Sequence, residues 1–283
     1  MPRDVAVNSS SVVRPSSTPL RGFILDMDGT VYLSDHALPG AVETIAALRQ
    51  RGLGVVFLSN KPLEPGAAYA AKLTALGIPT APEDVITSGY VLSHHLAQTA
   101  PGARVFVIGE PPLWEELRQA GLRLTKEPSE VDYVVAAFDR TFDYRKWNIA
   151  FQAIKFHGAH FVATNPDRTC PVQGGEIPDC GGIIAALEAT TGKQVEWIAG
   201  KPSPRMIQAA SARLGVPVDQ CLVVGDRLET DMAMGRDAGA RTALVLTGVT
   251  RREHLANAPI QPDHVLENIG GILDLLGNMP SCV

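Results

Sequence analysis

The sequence predicts an α/β protein: a doubly wound, Rossmann-like parallel sheet carrying an inserted, smaller α/β unit. Three observations lead there. Apolar runs of strand length alternate with amphipathic stretches of helical length over residues 22–76, and again over 204–246. Such alternation implies parallel strands with helices on both faces. Two of the runs stop at acidic residues, Asp26 and Asp226, and the chain's 283 residues suit two units at about 150 residues each.

The elements follow in order. Gly22-Phe23-Ile24-Leu25 is a buried strand leading into Asp26-Met27-Asp28-Gly29-Thr30. Residues 42–50 carry apolar positions at helical spacing, and Gly52 ends them. Residues 53–58 form a second strand, stopping at Ser59-Asn60-Lys61-Pro62, and a helix over 67–76 closes at Gly77-Ile78-Pro79. Strands over 104–108, 132–138 and 159–163, with helices over 114–120, 146–156 and 182–190, then make a pattern of their own, with a flexible loop over 174–182. The first rhythm returns with a helix over 204–214, which has Pro in its first turn and Gly215 past its end. A strand over 221–224 runs into Gly225-Asp226, and a helix over 231–238 and a strand over 242–246 complete it. The predicted division is therefore a core of residues 21–100 and 198–283 with 101–197 inserted, behind a Ser/Pro-rich, disordered tail at 1–20.

Composition narrows the function. Twenty-five Lys and Arg against thirty Asp and Glu leave a net charge of −5, with no basic block, so nucleic acid is not an expected partner. The longest apolar runs, such as Val134-Val135-Ala136-Ala137-Phe138, are far short of the roughly 18 residues of a membrane span. No apolar signal-peptide core opens the chain. Four Cys without a C-x-x-C suggest neither a disulfide scaffold nor a zinc site, but thiols in a reducing cytoplasm.

The chemistry gathers at strand ends. Asp26 and Asp28 lie one residue apart where a strand gives way to a loop, so both can face one site, and Gly29 permits the tight turn. The plainer reading is an Asp-rich turn, but the apolar run entering directly into the pair argues against it. Asp226 ends a second strand in the same manner. Asp231 reads equally well as a helix N-cap. Asp26, Asp28 and Asp226 brought together would repel one another unless a hard divalent cation such as Mg²⁺ joined them. Ser59 and Asn60 offer a hydroxyl, an amide and backbone N–H groups to phosphate oxygens, although Ser-Asn is also ordinary turn chemistry. Lys201, just before a helix, is a cation that gains meaning only beside the other three motifs.

In chain order, Asp26-x-Asp28-Gly29-Thr30, Ser59-Asn60, Lys201-Pro202 and Gly225-Asp226 with Asp231 resemble the haloacid dehalogenase-like (HAD) superfamily of phosphohydrolases. Ser59 and Lys201 stand 142 positions apart, more than a βαβ crossover needs, which places a cap domain between the second and third motifs. With Ile86-Thr87-Ser88-Gly89, Ala163-Thr164-Asn165-Pro166-Asp167 and Val245-Leu246-Thr247-Gly248, the chain looks like the NagD-type, 4-nitrophenylphosphatase-like branch, over about residues 21 to 270. That branch includes sugar-phosphate, phosphoglycolate and pyridoxal-phosphate phosphatases. Two departures bear on the substrate. Ser59-Asn60-Lys61 replaces the more usual Thr-Asn-Asn, and Ile177-Pro178-Asp179-Cys180-Gly181 replaces Pro-Gly-x-Gly.

The resemblance implies Asp26 as nucleophile, Asp28 as general acid and base, and Mg²⁺ held by Asp26, Asp28 (through its carbonyl) and Asp226, with Asp231 supporting. It further implies Ser59, Asn60 and Lys201 around the phosphate. In the cap, Asn165, Asp167 and the 174–182 loop would read a small hydroxylated leaving group, such as a sugar, on a phosphorylated metabolite. A homodimer through the caps is expected on the same basis. Two other classes stay open: a non-catalytic phosphate-binding regulator, and a dehalogenase, which would need neither Asp28 nor a metal.

Overall fold

In a computed structural model, which describes residues 18–172 and 174–277, the chain builds two all-parallel sheets. The strands are β1 (Gly22–Asp26), a small hairpin of β2 (Tyr32–Leu33) and β3 (His36–Ala37), β4 (Gly54–Ser59), β5 (Val85–Thr87), β6 (Arg104–Ile108), β7 (Arg123–Leu124), β8 (Tyr133–Ala136) and β9 (His160–Ala163). A second hairpin, β10 (Thr169–Val172) and β11 (Gly175–Pro178), precedes β12 (Trp197–Ile198), β13 (Cys221–Gly225), β14 (Arg241–Val245) and β15 (His264–Leu266). The α-helices are α1 (Ala41–Gln50), α2 (Gly66–Ala75), α3 (Ser88–Thr99), α4 (Pro111–Gln119), α5 (Tyr144–Phe156), α6 (Cys180–Thr191), α7 (Pro204–Leu214), α8 (Ala233–Ala238) and α9 (Gly271–Gly277).

The larger sheet has the order β15-β14-β13-β1-β4-β5, and the smaller β12-β9-β8-β6-β7. Every residue of β1 is buried, because a central parallel strand is covered on both faces; this is why its sequence is an unbroken apolar run. The two sheets are not separate bodies of oil. One apolar cluster runs from Ile24 and Val56 through Val91, Leu92 and Leu96 of α3 to Leu113 and Leu117 of α4 and on to Val105 and Val135.

Several elements differ from the sequence expectation, each for a physical reason. The helix α3 gives a weak apolar pattern because much of its buried face is Ser88, Gly89 and Ser93; Thr87 starts it, its hydroxyl accepting from Tyr90 N–H at 3.0 Å. The expected flexible loop over 174–182 instead holds β11, which pairs antiparallel with β10, and the start of α6, which begins at Cys180 with Asp179 as its N-cap. The helix expected from Asp231 opens with a wide π-type turn over Leu228–Met232, so Asp231 sits inside the turn, not ahead of the helix. At the N-terminus Leu20 is buried, and Arg241 Nη2 donates to the carbonyl of Thr18 at 2.7 Å. Order therefore reaches further than the expected tail of residues 1–20, whose first 17 residues lie outside the described residues.

Candidate active site

From β1 the sheet continues to β4 and β5 on one side and to β13, β14 and β15 on the other. The carboxyl ends of β1, β4 and β13 thus border a topological switch point, where open parallel sheets hold their ligands. Asp26 ends β1, Ser59 ends β4, and Asp226 follows β13. A cavity of about 870 Å³ opens there, lined also by Asp167, Thr169, Cys170 and Asp179 from the chain between β9 and α6.

Asp26, Asp226 and Asp231 are all buried, and each offers a carboxylate oxygen within 4.8 Å of the others. Burial, with the neighbouring carboxylates, raises the Asp26 pKa, against the pull of Lys201. Burial and Asp231 raise that of Asp226. Lys201 sits among them. Its Nζ donates to Asp26 Oδ1 and to Asp231 Oδ1 at 2.8 Å. Burial alone would lower this ammonium, but Asp231 and Asp26 outweigh it and hold the group above its usual value. Three buried acids against Lys201 and the half-buried Arg227 beside Asp226 still leave negative charge in excess, and an all-oxygen donor set fits a hard divalent ion.

Backbone contacts aim the acids. Val249 N–H donates to Asp226 Oδ2 at 2.7 Å, and Arg227 N–H donates to Asp231 Oδ2 at 3.2 Å. Asp226 is also wedged between two glycines. A Cβ at Gly248 would stand 1.9 Å from Asp226 Oδ2, and one at Gly29, whose φ is +82°, would stand 2.7 Å away. Only glycine lets the carboxylate lie there.

Asp28 lies apart from the trio. Its Oδ2 accepts from Lys61 Nζ at 3.1 Å, and both residues line the cavity. Burial lowers and Asp28 and Cys170 raise the Lys61 ammonium, which ends above its usual value. Ser59 faces the cavity, its Oγ accepting from Lys61 N–H at 3.1 Å.

Asn60 differs from expectation. Its side-chain amide is spent within the protein and points no free donor at a phosphate. Its Oδ1 accepts from Lys201 N–H at 2.7 Å, while its Nδ2 donates to Lys201 C=O at 3.1 Å and to Asp167 Oδ2 at 3.0 Å. Asn165 is likewise committed, donating to Asp167 Oδ2 at 3.0 Å and to Asp179 Oδ1 at 3.1 Å. It is buried and absent from the cavity wall, so it supports the acidic pair and does not face a ligand. Asp167 does face the cavity, with its Oδ1 4.0 Å from Arg227 Nη1. Lys61, which the sequence marks as a departure bearing on the substrate, lines the cavity as expected, whereas the cavity-lining Arg227 is given no role by the sequence motifs. Arg227 adjoins a motif residue, and a long cation beside a strand-end acid was the available signal.

Residues 23–123 match the family described as haloacid dehalogenase-like hydrolase, and residues 198–272 match that described as HAD-hydrolase-like. The chain is 37% identical over 254 residues to the sugar-phosphatase AraL of Bacillus subtilis (strain 168), covering 90% of this chain and 92% of the relative. The chain belongs to the haloacid dehalogenase-like hydrolases. Within that family it is also 34% identical to the 5'-nucleotidase YutF of the same organism, over 88% of this chain and 96% of the relative. Among solved structures of the family, the 4-nitrophenylphosphatase from Thermotoga maritima superposes with a TM-score of 0.87 at 37% identity, covering 91% and 97% of the two chains. A glycerol phosphate phosphatase from Mycobacterium tuberculosis in complex with magnesium superposes with a TM-score of 0.81 at 34% identity, covering 89% and 76%. No helix of the described residues is long and apolar enough to cross a membrane.

Proposed function

We propose that this HAD-family chain is a Mg²⁺-dependent phosphomonoester hydrolase acting on a small hydroxylated phosphate such as a sugar phosphate. The observation that carries the reading is the Lys201 ammonium clamped between Asp26 and Asp231 beside Asp226, at the floor of a cavity that also holds Asp28. Asp26, Asp226 and the backbone carbonyl of Asp28, supported by Asp231, would hold the metal. Bound there, Mg²⁺ would offset charge on the phosphoryl oxygens and among the acids.

The chain's own residues supply the rest. An Asp26 carboxylate oxygen bonds to phosphorus as the ester P–O bond breaks, and Asp28 gives its proton to the departing oxygen. Asp28 then takes a proton from a water that attacks the aspartyl-phosphate, releasing inorganic phosphate and regenerating Asp26. Lys201 and the Ser59 hydroxyl hold phosphoryl oxygens in place; positioning and charge stabilisation are the larger part of phosphoryl transfer.

Residues 101–197 act in this reading as the cap, with the core formed by the chain on either side. The cap's contribution to the cavity is Asp167, Thr169, Cys170 and Asp179, groups suited to hydroxyls. No Phe, Tyr or Trp among the described residues lines it, which favours a sugar over a nucleobase. AraL, a sugar phosphatase by name, supports the same class.

Purified protein is expected to hydrolyse 4-nitrophenyl phosphate with Mg²⁺, to stop in EDTA, and to recover when Mg²⁺ is restored. Across a panel of phosphates, sugar phosphates should exceed nucleoside monophosphates in kcat/KM by about tenfold or more. The absence of metal-dependent hydrolysis would overturn the reading, and a tenfold preference for nucleotides would overturn its substrate class. A homodimer through the caps is part of the proposal. The exposed Tyr144 and Phe156 of α5 are apolar surface such a contact would cover. A concentration-independent monomer mass in light scattering would remove that part.

A further inference from the structure

Asn60 stands at a junction of three chain segments that are far apart in sequence. It lies just past β4, and its side chain is buried. Oδ1 accepts from Lys201 N–H and Nδ2 donates to Lys201 C=O, so one amide grips both sides of a single residue's backbone. The same Nδ2 donates to Asp167 Oδ2, on the cap. The fit is close: a Cβ at Gly200 would stand 2.5 Å from Asn60 Oδ1 and 2.6 Å from Thr164 C=O. Ser88 Oγ donates to Asn60 C=O at 2.7 Å, tying the residue to the first turn of α3 as well. An amide is the one neutral side-chain group of this size with an acceptor and two donors; these three bonds use both donors and one lone pair of the acceptor.

We propose that Asn60 is a positioning residue: its amide fixes the backbone of Lys201, and so the place of the phosphate-binding ammonium, and joins that fixation to the seating of the cap through Asp167. Cap docking and cation placement are then one event. This rests on the reading of Lys201 as the phosphate-binding cation. A displacement of about 1 Å at a reacting centre costs on the order of 100-fold, so a residue that touches no substrate can still govern turnover.

Three measurements test it. The first is binding of orthovanadate, with Mg²⁺ present, by calorimetry in the wild type, Asn60→Ala, Lys201→Met and the double variant. Asn60→Ala should weaken binding by about tenfold in the wild-type background and by less than twofold once Lys201 is gone, since a residue acting through another has nothing left to position. Additive losses would mean that Asn60 meets the phosphate itself and would overturn the proposal.

The second is hydrogen exchange at the Lys201 amide, which needs no ligand. Exchange should accelerate at least tenfold in Asn60→Ala. The third is turnover of 4-nitrophenyl phosphate in Asn60→Asp, where an oxygen replaces the donor and faces Asp167 and the Lys201 carbonyl. Turnover should fall about tenfold there, and Asp167→Asn added to it should restore at least half of the loss by returning a donor to the pair. Unchanged exchange, or no rescue, would overturn the inference. Wild-type protein that binds no vanadate while the exchange results hold would instead overturn the phosphate-site reading and leave the positioning of Lys201 standing.

Discussion

Asp26→Asn is expected to lower turnover of 4-nitrophenyl phosphate by at least about 10⁴-fold while making the metal-free protein more stable. The two signs have one cause. Asp26 ends a fully buried strand, and burial, with Asp231 and Asp226 close by, holds its pKa above the usual carboxylate range in spite of Lys201. The folded state therefore binds a proton there that the unfolded chain has already lost. The ionised carboxylate weakens the fold increasingly as pH rises from the unfolded pKa toward the raised one. An amide of the same shape carries no charge and is a far poorer nucleophile. It keeps an oxygen for the Lys201 ammonium, so the loop should stay in place. Thermal unfolding in EDTA should show the Asp26→Asn variant melting above wild type at pH 8, with the gap closing toward pH 5. Retained turnover in a folded variant would sink the nucleophile assignment. A lower melting point at pH 8 would mean that the bond to Lys201 outweighs the crowding.

Lys201→Met should lower kcat by about 10² to 10³-fold, the usual cost of losing one oxyanion partner. It should also destabilise the metal-free fold by about 3–5 kcal/mol, because a buried ion pair has lost its cation. Here the pH trend runs opposite to that of Asp26→Asn. Without the ammonium, the buried Asp26 carboxylate loses the cation that opposes its burial, so the penalty is full at pH 8 and shrinks toward pH 5 as Asp26 takes up a proton. Mg²⁺ should restore much of the lost stability without restoring activity. A variant equally stable at both pH values, or one within threefold of wild-type turnover, would contradict this account of Lys201.

What could be read from residues alone follows a pattern. Asp26, Asp226 and Lys201 were visible because each is a polar group stationed at a strand end or a helix entry, where an apolar run makes it conspicuous. The parallel sheets were visible for the related reason that β1, β4 and β13 are buried on both faces. The role of Asn60 was not visible, since Lys201 and Asp167 reach it only through pairings across more than a hundred residues. Arg227 was hidden similarly, its partner Asp167 lying in the inserted unit. β11 reads as part of a loop because two adjacent glycines precede its short run, and α3 gives little apolar signal because small polar residues occupy its buried face.

The central pairing of the larger sheet sets a schedule for synthesis. Gly22 to Leu25 of β1 lie in register with Cys221 to Val224 of β13, so half of that sheet arrives only after the intervening chain has been made. The five strands of the smaller sheet, by contrast, all fall between Arg104 and Ile198, and their pairings are comparatively local. Contacts of low sequence separation form sooner, and long-range parallel pairings wait on loop closure. A chain emerging from the ribosome can thus pair the strands of the smaller sheet while β1, β4 and β5 still hold an open edge with Asp26 at its end. Nascent chains stalled before β13 would carry Asp26 without Asp226, Asp231 or their backbone supports, and the centre assembles only when the last third of the protein docks.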